Sequence, residues 1–218
     1  MSKSCLRHGS AIASRRDFLL QSAAFGTALL LPAMAYAGRI PDLAGEVIVN
    51  GRLANKTTEV FAGDVVKTGP DGRVVVVMGR DAFLIRANSE IELLGESRKA
   101  VLSGLRMLTG ALLAVFGKGP PRVLSTATIT AGIRGTGIYM EASAAQTYFC
   151  TCYGSVEIED RQRRAKSIVL ASYHNAKIIR AVPAGDAVIE SAQQVNHSDD
   201  ELAMLEQRVG RKPPFVKS

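Results

Sequence analysis

The chain has 218 residues, a formal net charge of +7, 47% hydrophobic and 22% charged residues, a balance that forms a globular core and excludes intrinsic disorder. Aromatic residues are 6% of the total and tryptophan is absent, which argues against a stacking platform for single-stranded nucleic acid. The mild positive excess is that of an ordinary basic surface and does not imply a polyanion partner.

The chain opens with an address rather than a fold element. The stretch SRRDFLL, with Arg15 and Arg16 after Ser14, resembles the twin-arginine export motif, with Leu20 where that motif often carries Lys. The apolar run that follows is interrupted by Gln21, Ser22, Gly26 and Thr27. It ends in AYA, small residues at the positions a signal peptidase reads. The expectation is a signal over residues 1–37, cleaved between Ala37 and Gly38, and a periplasmic protein exported already folded. An uncleaved anchor helix is the alternative, and no later run is long enough to span a bilayer. Cleavage removes Cys5 and leaves Cys150 and Cys152 in an oxidising compartment.

From Gly45 the pattern changes to short apolar runs broken by turn residues. GEVIVNGRLA predicts a strand with a turn at Asn50-Gly51, a pair suited to positive backbone angles. After Val65 and Val66, TGPDG predicts a turn in which Pro70 presets one dihedral and Gly72 supplies a left-handed one. Arg73 to Met78 is a β-branched strand whose four valines predict burial on both faces. DAFLIRANSEIELLG alternates, with Phe83 and Ile85 on one face and Ile91 and Leu93 repeating the pattern after a turn at Ala87-Asn88. LRMLTGALLAVFGKGPP reads as strand, Gly110, strand, then a break. ATITAGIRGTGIYMEA, TYFCTCYGSVEIE and two short strands in RAKSIVLASYHNAKIIRAVPAG complete the series. This spacing predicts an all-β sandwich or roll, with a short solenoid as the alternative.

A helix is predicted at the end of the chain. HSDDELAMLEQRVGRKPPF offers Ser198 as N-cap with Glu201 three residues on, a capping box. Asp199 and Asp200 suit the helix dipole, Leu202, Leu205 and Val209 form an apolar face, and Gly210 ends the element. The expectation is that this helix docks on the β body and caps an open edge.

The order of these pieces resembles the FecR domain, an extracytoplasmic sensor module. The resemblance rests on GEVIVNGRLA, on VFAGDVVKTGPDGRVVVVMG, on LRMLTGALLAVFGKGPP, on TATITAGIRGTGIYME as the most specific piece, and on YGSVEI, where Tyr153 replaces the usual acidic residue. It implies an all-β fold, a FecR-like β-sandwich or β-roll, to which the residues add a short C-terminal helix. It also implies a non-enzymatic sensing or protein-binding role without catalytic residues. The expected layout is a signal over 1–37, a FecR-like domain over 45–158, and a C-terminal extension over 159–218 that the resemblance leaves unexplained. With fourteen residues ahead of the arginine pair, no cytoplasmic domain for a sigma factor is expected. The expected partner is a protein or a cell-envelope component bound at β faces or edges, with no nucleic acid and no membrane span after cleavage.

Three stretches have chemical potential. GIRGTG lacks the Lys-Ser/Thr pair and the following helix of a phosphate loop, so it reads as backbone geometry at Gly135, Thr136 and Gly137, with Arg134 free to pair with a carboxylate. DRQRRAK reads as a solvated hairpin loop. His174 and His197 are the histidines left after export, too few to predict a catalytic set or a spaced cluster. Cys150 and Cys152 are different. Two residues apart on a strand they share a face, with Cα atoms about 6.7 Å apart, too far for an unstrained mutual disulfide. They are either buried small hydrophobes, a disulfide on a kinked strand, or two thiolates for a soft metal or for redox chemistry. In the metal reading His174 or His197 completes the shell; no other cofactor is expected.

Overall fold

The structure, a computed structural model, describes residues 37–96, 102–183 and 185–215. Arg15, Arg16 and residues 1–36 of the expected signal lie outside them. Of the expected cleavage pair, Ala37 and Gly38, the second forms a β-bridge with Val60. The described residues hold β1 (Arg39–Ala44), β2 (Val47–Val49), β3 (Arg52–Leu53), β4 (Val65–Thr68), β5 (Arg73–Met78), β6 (Asp81–Ile85), β7 (Glu90–Gly95) and β8 (Leu102–Val115). They continue with β9 (Arg122–Ser125), β10 (Ile129–Ile133), β11 (Gly137–Ala142), β12 (Gln146–Asp160), β13 (Lys166–Ala171), β14 (Asn175–Arg180), β15 (Ile189–Ala192) and the helix α1 (Asp199–Arg208).

The fold is all-β with this one short C-terminal helix, and its strands lie in two facing layers rather than in a solenoid. The front sheet runs β1-β5-β6-β8-β11-β12-β14-β15. The back sheet runs β13-β12-β10-β9-β8-β7-β4-β2-β3. Every pairing is antiparallel except that of β8 with β9.

β8 and β12 belong to both layers. The first half of β8 pairs with β7 and its second half with β6 and β11. β12 pairs with β11 and β14 through its first half and with β10 and β13 through its second. Each turns its corner at a glycine, Gly110 at φ +100 and Gly154 at φ +98, a backbone that L side chains rarely adopt. A Cβ at Gly110 would also collide with the Ser89 backbone. Gly110 is therefore a bend inside one strand, where the sequence predicts a break between two.

The core lies between the layers and includes Val74, Val76, Phe83, Ile85, Ile91, Leu93, Leu112, Met140, Phe149 and Ile158. The front sheet is buried on its other side as well. There Val75, Val77, Leu84, Leu113, Val115, Tyr139 and Tyr148 pack with Leu202 and Leu205 of α1. The valine run of β5 is thus buried on both faces, as its composition predicts. The helix carries the capping box of Ser198 and Glu201, but it does not cap an open edge. It crosses β6 and β8 in the interior of the front sheet, because the apolar surface to be covered lies there.

The turns divide in the same way. Asn50 (φ 50) and Gly51 (φ 77) form the expected two-residue hairpin loop between β2 and β3. The TGPDG segment is the expected turn, closed by the Gly72 amide on the Gly69 carbonyl at 3.0 Å, but it carries the chain from the back sheet to the front, and Gly72 lacks the expected left-handed backbone. Its missing Cβ instead makes room for the Glu46 carbonyl. In GIRGTG, Thr136 is fully buried, with its hydroxyl 3.1 Å from the Arg134 carbonyl and 3.3 Å from that of Ser155. This is the expected structural turn, although Arg134 has no ion pair among the described residues. No boundary separates 158 from 159, since β12 runs through both and β13 and β14 pair with it.

The DRQRRAK loop closes the β12–β13 hairpin around Asp160, which is 1% exposed. Burial pushes this carboxyl up, but hydrogen bonds from the Ala165 amide, the Arg164 guanidinium and the Gln162 and Arg164 amides outweigh it and hold Asp160 below its ordinary value. A depressed carboxylate stabilises the fold above its unfolded value of about 3.9, and that contribution is lost as pH falls through the folded value. Asp160→Ala is expected to cost about 2 kcal/mol at neutral pH, with the gap to the parent chain narrowing below pH of about 4 in denaturant titrations. Gly110→Ala is expected to cost at least about 2 kcal/mol by the same measurement, because it adds a clash to a left-handed backbone.

Candidate metal centre

β12 sends Phe149 and Thr151 toward one side and Tyr148, Cys150 and Cys152 toward the other, the consequence of its two-residue period. Phe149 enters the core between the layers, and the two cysteines enter the cluster under the helix. Both are free thiols with no exposed surface. Their register partners fix their place, since Cys150 lies opposite Tyr139 on β11 and Ala176 on β14.

Antiparallel pairing of β14 with β12 brings the β13–β14 turn back over Cys152, where the His174 amide donates to the Cys152 carbonyl at 3.0 Å. His174 takes an unusual φ of 22° at this point. The chain then returns across the front sheet, and His197 arrives one residue before the N-cap of α1. The result is a Cys150, Cys152, His174 and His197 cluster whose ligand atoms all lie within 4.8 Å of one another. Cys150 Sγ is 3.6 Å from His174 Nδ1, Cys152 Sγ is 3.5 Å from His197 Nε2, and the two ring nitrogens are 3.1 Å apart.

These separations are the edges of a small tetrahedron. With metal–nitrogen bonds of about 2.05 Å and metal–sulfur bonds of about 2.3 Å, a tetrahedral centre has N–N edges of about 3.3 Å and N–S edges of about 3.6 Å. The far side of each imidazole is also in place. His174 Nε2 meets the Asp199 carboxylate at 2.9 Å, and His197 Nδ1 meets the Val195 carbonyl at 2.7 Å. An acceptor on each outer nitrogen places the ring proton there and turns a lone pair toward the cysteines, the arrangement that metal-binding histidines show. Tyr139 stacks on His197 with ring centroids 4.5 Å apart, and the Tyr173 hydroxyl donates to Asp199 at 2.9 Å.

The thiols are electrostatically unequal. Its neighbour Cys152 draws the Cys150 thiol below its ordinary value, against the cost of burial. Burial pushes the Cys152 thiol up, and the negative charge on Cys150 adds to the rise. A divalent cation would take both sulfurs as thiolates, releasing their protons and neutralising two negative charges. Two sulfurs and two nitrogens in a tetrahedral arrangement suit zinc-class ions, and they leave no open coordination position for a substrate.

The sequence names both cysteines and offers His174 or His197 as the third ligand. The structure brings all four together. Two histidines make no spaced cluster in the sequence, yet the 22 residues between them bring both to the cysteines, in part through the pairing of β14 with β12. Asp199 reads in the sequence as an acidic residue at a helix start, and nothing there signals its second task behind His174.

No protein family matches the chain, and no curated protein matches it. Among solved structures, two of a "putative anti-sigma factor" from Parabacteroides distasonis are similar. One aligns at 11% identity with a TM-score of 0.49, over 60% of this chain and 59% of that one. The other aligns at 12% identity with the same score and coverage. The chain thus spans about three fifths of the length of these structures. Replacing the carboxylate behind His174, by Asp199→Asn, is expected to weaken zinc binding by about 10- to 100-fold in chelator competition.

Proposed function

We propose that this chain is an exported, non-enzymatic β-module of the FecR-like kind that holds one zinc-class ion at Cys150, Cys152, His174 and His197. The observation that carries the metal reading is the set of four ligand atoms within 4.8 Å of one another, with the outer nitrogen of each imidazole already held. A closed shell of this composition serves structure or sensing rather than turnover. Full burial of both sulfurs favours a held ion over thiol exchange, which needs access to the sulfur.

The FecR-like part of the reading rests on the sequence resemblance over 45–158 and on the all-β fold. The export part rests on SRRDFLL and on AYA. No helix among the described residues is long and apolar enough to cross a membrane. A protein or cell-envelope partner is the ligand this class of module implies, met at the exposed faces and strand edges.

Metal analysis of the purified full chain tests the central claim. One zinc-class ion per chain is expected, and its loss in Cys152→Ser. A folded chain that takes up neither zinc nor another thiophilic ion would overturn it. Zinc at about 100-fold above its Kd adds about 2.7 kcal/mol, which for a chain of this size raises Tm by about 5–10 °C over the chelated protein. Export is checked by Arg15→Lys with Arg16→Lys, expected to abolish periplasmic delivery; unchanged delivery sinks the twin-arginine reading.

A further inference from the structure

The four ligands come from three stretches of chain with different attachments. Cys150 and Cys152 stand on β12, in the interior of the front sheet, and His174 stands in the turn that β12, β13 and β14 hold. His197 belongs to a return arm, residues 193–215, which lies over the front sheet and carries α1. Asp199, the carboxylate behind His174, is the first residue of α1. The arm thus supplies one ligand and the outer partner of another.

The arm is otherwise held by side-chain contacts. Leu202 and Leu205 are fully buried against the sheet. Glu206 accepts from the Tyr153 hydroxyl, Glu201 pairs with Arg86 at 2.7 Å, Arg211 donates to the Arg80 carbonyl at 2.6 Å, Arg39 donates to the Arg208 carbonyl at 3.2 Å, and Phe215 packs against Tyr153 and Tyr173. Tyr148 hydrogen-bonds to Gln193 and Val195, and Asn196 to Glu141. A ten-residue helix does not persist alone in water. Ordering the whole arm costs conformational entropy at every residue. Asn196 also holds a left-handed backbone at φ 58, next to the ligand His197, a local cost that the docked state must offset.

Resting on the metal centre described above, we propose that the ion is a clasp: zinc-class metal locks the return arm over the front sheet, and its removal releases the arm. Arm docking and metal binding are then one linked equilibrium. Metal at 100 times its Kd shifts docking about 100-fold, and whatever frees the arm weakens the metal by the same factor. Release uncovers Val75, Val77, Leu84, Leu113 and Val115, a contiguous apolar surface on β5, β6 and β8. A metal-dependent apolar face is the output that a sensing module requires.

Amide hydrogen exchange on the full chain, with zinc and after chelation, tests the clasp. Chelation is expected to speed exchange in α1 and the rest of the arm at least tenfold, while β7 and β10 of the back sheet keep their protection. Zinc bound stoichiometrically with unchanged arm exchange overturns the clasp and leaves the metal centre standing. No zinc uptake overturns both. The reciprocal test is Leu205→Glu, which loosens the arm without touching a ligand. It is expected to weaken zinc at least tenfold, and unchanged zinc affinity in a variant whose arm exchanges freely overturns the clasp again.

Discussion

Val75 and Val77 on β5, Leu84 on β6, and Leu113 and Val115 on β8 all leave the front sheet on the side away from the central core. An antiparallel sandwich usually turns that side to water and fills it with polar residues. Here the side is apolar, so a further layer has to cover it. The helix and its flanking arm form that layer, and much else follows from the need for it. It explains the valine run, the docking of α1 over strands rather than at an edge, and the burial of a cysteine pair on what would otherwise be solvent-facing positions of β12.

The elements with a strong period were legible in the sequence. The β5 valines, the alternation of β6 and β7, the Asn50-Gly51 hairpin and the capping box at Ser198 each depend on local chemistry, and each is present. β1 and β15, the two edges of the front sheet, were not foreseen. RIPDLA and IESA show no apolar alternation, since an edge strand is defined by the neighbour it pairs with. The bends in β8 and β12 were hidden for a related reason. Gly110 reads as a break between strands, and Gly154 as an ordinary strand position, until the partners on both sides are known.

Half of the candidate site was visible and half was not. The period of a strand places Cys150 and Cys152 on one face without any tertiary knowledge. His174 and His197 reach them through the pairing of β14 with β12 and through the path of the arm, neither of which is local. Asp199 adds a further lesson. It serves as a favourable charge at a helix start and as the anchor of an imidazole, and the first task masks the second in the sequence.

The shared strands β8 and β12 also set how the molecule comes apart. In an ordinary sandwich the two layers meet through side chains, and one can peel from the other at the expense of packing alone. Here each layer contains part of the same two strands, joined through Gly110 and Gly154. Separating the layers requires those backbones to leave both hydrogen-bond ladders at once. The β body is therefore a single foldon, and its opening is global rather than stepwise. The return arm, tied in by side chains and not by any ladder, forms a second and weaker tier that exchanges with solvent on its own clock.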